Sequence, residues 1–399
     1  MVNAPVALTI FDVLVFFAVV VPFVALVRHR SAIPLLPPIS PEAAPPRLSV
    51  VVPARDEART IGDALGSLLA QDYPDLEIVV VDDRSSDGTG AVVAAIAARD
   101  PRISCVRIDD LPAGWLGKNH ALWRGAERAR GEWLLFTDAD VHFAQGTLRR
   151  AITYALAEKL DHLTMSPRLV GRGPFLRAFL AFFGYAFVTL WGAYLANDPK
   201  SGRGVGIGAF NLVRREAYET IGTMRALSLR PDDDVRLGRR LRAFGVRQRV
   251  LNGRDVLTVE WYPSLGAAVT GLEKSMYSSL EYRVADTLVV VVFMLATMVW
   301  PYIGALVVEG LDRWLLIAVI VCLSAGIGET YRQAIGPVGL ETIAAILLLP
   351  VSALSFAYAI ARSVFLAERR GVRWRGTTYP LSLLRAQSGF EGTAAKRSS

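Results

Sequence analysis

Cysteine is scarce in this chain, which has only Cys105 and Cys322 among 399 residues. One lies in a polar segment and the other in a deeply apolar one, so they offer neither a disulfide framework nor a metal cluster. The interleaving of aromatic and basic residues that marks nucleic-acid binders is also missing. We therefore expect no nucleic-acid partner, although the formal net charge is +7.

What the chain has in excess is apolar sequence. Hydrophobic residues make up 52% of it and the mean hydropathy is +0.35, which is too apolar for an ordinary soluble enzyme. Many arginines flank the apolar runs, and this arrangement suits the anionic surface of a cytoplasmic membrane. Part of the protein is therefore predicted to lie in a bilayer.

The first apolar run, Ala7–Val27, is interrupted only by Asp12 and ends at Arg28-His29-Arg30. A run of about 20 residues can cross a hydrocarbon core, and the basic stop places the downstream side in the cytoplasm. No cleavage site is evident, so we expect an uncleaved signal-anchor. Asp12 is costly at that depth and is expected near the outer edge or facing another helix.

Composition divides the chain into five predicted parts. They are an anchor at 1–30, a Pro-rich linker at 31–47, an α/β domain at 48–286 with an interfacial helix near 178–196, transmembrane segments at 287–362, and a basic, polar tail at 363–399. Three apolar segments fall in the fourth part: Leu288–Val308, Trp314–Gly328 and Thr342–Ala361. Trp314–Gly328 is the shortest and is expected not to cross fully. The number of crossings and the side of the tail stay open, because three full crossings conflict with the positive-inside rule.

Near-continuous apolar strands alternate with helices between residues 48 and 137. The predicted strands are Leu48–Val52, Glu77–Val81, Ile103–Val106 and Trp133–Thr137, and the predicted helices are Ala58–Gln71, Thr89–Ala98 and Lys118–Ala129. This pattern predicts a doubly wound, mostly parallel sheet that is covered on both faces and binds a nucleotide.

Acidic pairs follow three of these strands: Asp56-Glu57, Asp82-Asp83 and Asp138-Ala139-Asp140. Open parallel sheets bind ligands beyond the carboxyl ends of their strands, so the acids should meet at one edge. Asp138 and Asp140 are spaced to point the same way, and carboxylates plus substrate phosphates suffice for Mg²⁺. The alternative is that each acid caps a turn or a helix.

Taken in order, these motifs resemble those of family 2 glycosyltransferases with the GT-A fold. The resemblance runs from about Leu48 to Glu260 and rests on Val51-Val52-Pro53, Asp56-Glu57, Val80–Thr89, Gly117-Lys118, Asp138-Ala139-Asp140 and Asp233-Asp234. It implies a Rossmann-like GT-A catalytic domain between N-terminal and C-terminal transmembrane helices. It also implies a nucleotide-sugar donor, expected to be a UDP-sugar, and Mg²⁺ or Mn²⁺ as cofactor.

The resemblance further assigns roles to residues. Donor binding falls to Pro53, Asp56, Glu57, Asp83, Lys118, Asp138 and Gly208, and metal binding to Asp138 and Asp140. His142 could add a nitrogen ligand, although a lone histidine is more often structural. Asp234 would be the general base of an inverting displacement, with Asp233 beside it. The triplet Asp232-Asp233-Asp234 leaves the base uncertain by one position and would also stabilise a helix N-terminus.

The chain lacks the Gln-Xaa-Xaa-Arg-Trp motif of processive polysaccharide synthases, which favours transfer of one sugar to a lipid. Its overall layout resembles that of ceramide glucosyltransferases and of bacterial enzymes associated with hopanoid or carotenoid glycosylation. The stretch Leu111–Lys118 resembles the hopanoid-associated group in particular. We therefore expect a lipid acceptor and a location in the cytoplasmic (inner) membrane with the catalytic domain facing the cytoplasm. Two alternatives stay open, a sugar-nucleotide nucleotidyltransferase and an inactive membrane scaffold.

Overall fold

The computed structural model describes residues 4–28, 33–38, 40, 44–189 and 192–394. The chain divides into two compact units. The first unit contains Met1–Ala32, Val170–Tyr194 and Trp261–Arg373, and the second contains Ile33–Leu169, Leu195–Glu260 and Trp374–Ser399. The α/β unit is therefore not the continuous stretch 48–286, because the apolar segment 170–194 and everything between 261 and 373 belong with the other apolar helices.

The second unit is built on a seven-stranded sheet. The strands of the chain are β1 (Leu48–Ala54), β2 (Leu76–Asp83), β3 (Ile103–Ile108), β4 (Trp133–Phe136), β5 (Val141–Phe143), β6 (His162–Ser166), β7 (Arg168–Leu169), β8 (Asn211–Arg214), β9 (Gln248–Asn252), β10 (Leu257–Val259), β11 (Val372–Trp374) and β12 (Thr377–Tyr379). The large sheet has the order β3-β2-β1-β4-β8-β6-β9, and a small sheet has the order β5-β10-β7. Every neighbouring pair of the large sheet is parallel except the two that β8 makes.

Helices cover this sheet and form most of the first unit. They are α1 (Ala4–Arg28), α2 (Ile61–Leu69), α3 (Thr89–Ala97), α4 (Gly117–Arg128), α5 (Thr147–Ala157), α6 (Pro174–Thr189), α7 (Arg215–Thr220), α8 (Asp233–Ala243), α9 (Leu265–Ser279), α10 (Val284–Met298), α11 (Trp300–Val307), α12 (Gly310–Ala334), α13 (Leu340–Leu347), α14 (Leu349–Arg370) and α15 (Leu381–Ala394).

The predicted strands and helices between residues 48 and 137 are all present, and the apolar runs of β1, β2 and β4 are almost entirely buried. In β1, Val50 and Val51 are fully buried. Helix α4 packs closely here, since a Cβ at Gly125 would lie 2.3 Å from a methyl carbon of Val51. The mostly parallel α/β fold is therefore confirmed. The prediction ended at the fourth strand, and it did not include β5 to β10.

Among the described residues of the first unit, three helices are long and apolar enough to span a membrane, within α1, α12 and α14. A fourth span is possible if α10 and α11, which meet at a 45° bend, count as one. The segment Trp314–Gly328, which is expected not to cross fully because it is short, belongs to the longer 25-residue helix α12. Whether it crosses stays a prediction. The segment Thr342–Ala361 is instead split between α13 and α14.

Helix α6 has 16 residues and is shorter than these spans. The interfacial position predicted near 178–196 stays a prediction, and residues 190 and 191 lie outside the described residues. The predicted polar tail also differs from the structure, since the strand β12 and the helix α15 form within it. Its last five residues, 395–399, again lie outside the described part.

Asp12 faces another helix, which is one of the two positions expected for it. It is fully buried, and the indole Nε1 of Trp300 donates a hydrogen bond to its Oδ1 over 2.7 Å. Residues 29 and 30 of the predicted basic stop are outside the described residues, as are 31–32, 39 and 41–43 of the linker. Within the described linker, Leu35 forms a β-bridge with Asn252. This stretch is therefore part of the second unit.

Candidate active site

The parallel register of the central strands brings three acidic pairs to one edge of the sheet. Ala54 of β1 stands opposite Asp82 of β2, and Val51 of β1 stands opposite Phe136 of β4. The residues that follow each strand therefore emerge on the same side, as expected for an open parallel sheet. This edge carries the acids predicted as the donor and metal site.

Lys118 is the cation at the centre of this edge. It lies in the first turn of α4, and its Nζ is 2.8 Å from Asp138 Oδ1 and 3.6 Å from Asp233 Oδ2. Burial alone would lower the pKa of Lys118, but the attraction of Asp138, Asp233 and Asp234 outweighs it and raises the pKa. The ammonium therefore stays charged and ties the end of β4 to the start of α8.

Gly208 separates the two carboxylates that matter most to the predicted chemistry. Its backbone N–H donates to Asp234 Oδ2 over 2.8 Å. A methyl group at this position would lie 2.8 Å from Asp138 Oδ2 and 3.2 Å from Asp234 Oδ2. A side chain at this position would therefore displace the Asp138 carboxylate, and glycine lets both acids approach the backbone here.

A buried polar network holds this glycine run in place. The amide of Val205 donates to Gln248 Oε1 over 2.9 Å, and the amide of Ile207 donates to Asn211 Oδ1 over 3.3 Å. Between these two side chains lies His162, whose Nδ1 is 2.5 Å from Gln248 Nε2 and whose Nε2 is 3.1 Å from Asn211 Oδ1. Burial lowers the pKa of His162 to about 4, so the ring is neutral. Sequence reasoning missed this histidine, because nothing local distinguishes it from a core residue.

The acidic triplet before α8 separates into different roles. Asp232 is buried and ion-paired with Arg230 Nε at 3.2 Å and with Arg236 Nε at 2.9 Å. Burial opposes its ionisation, but the two arginines hold the pKa of Asp232 at about 2. Asp233 is also buried and faces Lys118. Asp232 thus has a structural role, in which it neutralises the two arginines.

Asp234 is the half-buried member of the triplet. Its Oδ1 accepts the amide of Val235 and its Oδ2 that of Gly208, both over 2.8 Å. Burial raises the pKa of Asp234, and the charge of Lys118 acts in the opposite direction. A carboxylate has about four acceptor positions, so two backbone bonds leave room for a substrate hydroxyl.

The predicted metal ligands do not form a three-residue cluster. In the part of the chain that the structure describes, no group of three or more His, Cys, Asp and Glu side chains is arranged to hold a metal ion. His142 is exposed in the middle of β5, between the buried residues Val141 and Phe143, and pairs with Thr258 of β10. The role suggested for His142 therefore gains no support.

Asp138 and Asp140 nevertheless suit a hard divalent cation. Burial, together with the neighbouring charges of Asp138 and Glu57, raises the pKa of Asp140 to about 7. Crowded carboxylates of this kind are stabilised by a bound cation, and one or two of them plus phosphate oxygens meet the needs of Mg²⁺. The chemistry of this donor set fits such an ion.

The residues predicted to bind the nucleoside end of the donor lie at the carboxyl ends of β1 and β2. Pro53 is half-buried within β1. Asp56, in a left-handed conformation with φ 55°, accepts the amide of Ser86 over 2.8 Å. Asp83 is buried and bound by the guanidinium of Arg84, with Nε to Oδ1 at 2.7 Å.

Glu57 has a partner that sequence reasoning did not find. Its Oε1 is 2.6 Å from Nη2 of Arg375, in the predicted polar tail. Its Oε2 accepts the hydroxyl of Thr60 over 3.1 Å. The basic composition of the tail was the only signal of this contact.

A mostly parallel α/β sheet with a lysine-centred group of carboxylates at its carboxyl edge is typical of enzymes that bind nucleotides. Residues 49–222 match the model of the glycosyl transferase family 2. Over this stretch, which is less than half of the chain, the protein is similar to family 2 glycosyl transferases.

Curated relatives agree with this assignment. The 4,4'-diaponeurosporenoate glycosyltransferase of Staphylococcus aureus strain MRSA252 is 28% identical over 177 residues, which cover 44% of this chain and 46% of the relative. The enzyme of the same name from strain USA300 is 27% identical over the same shares. The chain thus spans about half the length of the curated relatives that it matches.

One solved structure shares the fold of this chain. The mannosyltransferase PcManGT from Pyrobaculum calidifontis, in complex with GDP-Man and Mn2+, has a TM-score of 0.53 and 20% identity, covering 91% of this chain and 99% of that one. Residues 1–349 of S. aureus TarS have a TM-score of 0.41 and 15% identity, covering 81% of this chain and 90% of that one.

Proposed function

We propose that this glycosyltransferase moves a single sugar from a nucleotide-sugar donor, a UDP-sugar in the first instance, to a hydroxyl group of a membrane lipid at the cytoplasmic leaflet. The observation that carries the proposal is the arrangement around Gly208. Two carboxylates, Asp138 and Asp234, approach the same glycine from β4 and α8, and Lys118 lies beside them. One carboxylate can serve the donor diphosphate while the other faces the acceptor.

Asp234 is assigned as the general base. The acceptor hydroxyl gives its proton to the Asp234 carboxylate as its oxygen bonds to the anomeric carbon, and the bond from that carbon to the diphosphate oxygen breaks. This single displacement inverts the anomeric configuration and releases a nucleoside diphosphate. A positioned base of this kind contributes about 10²–10⁴-fold to the rate.

Asp138 and Asp140 are assigned as the protein ligands of a divalent cation, which when bound would neutralise charge on the leaving diphosphate. Lys118 adds a fixed positive charge on the same side. At the other end of the donor, Asp56, Glu57 and Asp83 would accept hydrogen bonds from the base and the ribose, with Pro53 as part of the pocket wall.

The acceptor assignment rests on the first unit. Three described helices are long and apolar enough to span a membrane, and the curated relatives are named as glycosyltransferases of 4,4'-diaponeurosporenoate. A soluble acceptor would not require such helices on the same chain. The cytoplasmic orientation follows from the basic residues after the first span.

The test is nucleoside diphosphate release by the full chain in lipid nanodiscs, with UDP- and GDP-sugars in turn. Asp234→Asn should lower turnover at least ~100-fold, whereas the control Asp63→Asn, at an exposed acid in the first turn of α2, should leave it unchanged. Removal of divalent cations with EDTA should abolish release, and Mn²⁺ or Mg²⁺ should restore it. Equal release by wild type and Asp234→Asn would reject the assigned base, and pyrophosphate as product would indicate a nucleotidyltransferase.

A further inference from the structure

The C-terminal segment, Trp374–Ala394, lies against the candidate active site although it is far outside the matched residues 49–222. It belongs to the second unit. Leu384 of α15 is fully buried. The side chain of Gln387 accepts the amide of Leu229 over 2.7 Å and donates to the hydroxyl of Ser228 over 3.2 Å. The segment is therefore packed as part of the fold. It contacts the chain at Ser228 and Leu229, a few residues before the acidic triplet.

Arg375 is the residue of this segment that reaches the predicted donor acids. Its Nη2 is 2.6 Å from Glu57 Oε1, and its Nη1 donates to the carbonyl of Arg55 over 2.6 Å. Thr60 binds the other oxygen of the carboxylate. Glu57 is thus fixed through both oxygens, and the turn after β1 is fixed with it.

Tyr379 makes a second contact with the site. Its side chain is buried, and its hydroxyl oxygen accepts a hydrogen bond from the backbone N–H of Gly117. Gly117 precedes Lys118, and a Cβ at Gly117 would lie 2.3 Å from Asp83 Oδ2. The C-terminal segment therefore touches both the β1 turn and the start of α4, the two places that flank Asp83.

We propose that Arg375 is a positioning residue of the donor site, which holds Glu57 in the orientation that binds the nucleoside part of the donor. This inference rests on the proposed nucleotide-sugar donor. A guanidinium bridging a carboxylate and a carbonyl fixes both groups in a way that a hydrated lysine does not. It also offsets the charge of Glu57 at an edge that must admit a negatively charged diphosphate.

The test compares Arg375→Gln and Arg375→Lys with wild type in the full chain. Loss of a charge-assisted contact that is about half exposed should raise the dissociation constant of UDP or GDP, measured with Mn²⁺ by calorimetry, about tenfold. The donor KM should rise in parallel while kcat stays within about twofold, because Lys118 and Asp234 are untouched. The dissociation constant of Arg375→Lys should lie between those of wild type and Arg375→Gln. That of Arg373→Gln, at an exposed position of the same tail, should match wild type.

A double-variant cycle with Glu57→Gln separates positioning from other effects. If Arg375 acts through Glu57, the double variant should bind the nucleotide no more weakly than Glu57→Gln alone. Full additivity, a fall in kcat with unchanged KM, or wild-type binding by Arg375→Gln would each overturn the inference. Tyr379→Phe provides an independent variant if Arg375→Gln does not fold, and it too should weaken nucleotide binding with little change in kcat. If wild type binds neither UDP nor GDP, the proposed donor fails and the inference fails with it.

Discussion

Replacement of Gly208 by alanine tests the proposed site most directly, because the structure fixes what the added methyl group meets. It would lie 2.8 Å from Asp138 Oδ2 and 3.2 Å from Asp234 Oδ2. Optimal contacts between non-bonded heavy atoms are about 3.5–4.0 Å, so the Asp138 carboxylate must move by roughly 0.7–1.2 Å. That movement also disturbs the 2.8 Å contact with Lys118.

A displacement of about 1 Å at a reacting centre costs on the order of 100-fold in rate, or about 2.7 kcal/mol of transition-state stabilisation. We therefore expect Gly208→Ala to lower kcat/KM for the donor about 100-fold. The assay is nucleoside diphosphate release at several donor and Mn²⁺ concentrations, and the metal requirement should rise because Asp138 is a proposed ligand.

Gly66→Ala is the matched control, since a Cβ at Gly66 in α2 has no atom within 4 Å. This change should stabilise the helix by up to ~1 kcal/mol and leave turnover unaltered. If Gly208→Ala keeps the kcat and KM of wild type while its thermal midpoint is unchanged, Asp138 and Asp234 do not act together across Gly208, and the reasoning is refuted.

Three further outcomes follow from the same geometry. Lys118→Met removes the cation beside Asp138 and should lower kcat/KM by about 10²-fold, as measured by the same release assay, while an exposed lysine variant such as Lys159→Met should not. Asp232→Asn takes the carboxylate away from the fully buried Arg230 and should lower stability by about 3–5 kcal/mol, seen as a large fall in the thermal midpoint that Asp234→Asn does not share. Burial lowers the pKa of His162 from 6.5 to about 4, so on acidification the unfolded chain binds a proton before the folded chain does. The folded state therefore loses ~3 kcal/mol of stability as the pH falls from ~6.5 towards 4. The thermal midpoint of His162→Gln should decline less than that of wild type over this range, and equal declines would contradict the assignment.

The sequence predicts the half of the site that adjacent strands build. Each of β1, β2 and β4 ends in acids, and parallel pairing brings their ends together without further information. The pairing of Asp138 with Asp234 could not be derived in this way. It depends on Gly208, which the antiparallel strand β8 and the buried side chains of Gln248 and Asn211 hold in place. Such contacts join distant parts of the chain and leave no local periodicity.

The same limit explains the roles inside Asp232-Asp233-Asp234. As sequence, the three acids are equivalent at a helix N-terminus. The structure distinguishes them by what each one faces, since Asp232 meets two arginines, whereas Asp234 meets two backbone amides. His142 shows the opposite case, in which a short spacing suggested a ligand that the pleat of β5 turns outward.

Charge is distributed unevenly along the carboxyl edge of the sheet, and the two ends therefore respond differently to mutation. At the nucleoside end, Asp83 is paired with Arg84 and Arg55, and Glu57 is paired with Arg375. These pairs are balanced before any ligand binds. Loss of one arginine should therefore weaken nucleotide binding without altering the chemical step.

At the end of the site where the sugar is proposed to be transferred, Lys118 is the cation that faces several carboxylates. Lys118 is within 4 Å of Asp138 and Asp233, and the pKa of Asp140 rises to about 7 because burial and neighbouring acids leave its charge uncompensated. The proposed divalent cation would supply the missing positive charge beside the donor diphosphate. On this proposal the metal is needed at one end of the site only, and variants of Lys118 should lose kcat where variants of Arg375 lose affinity.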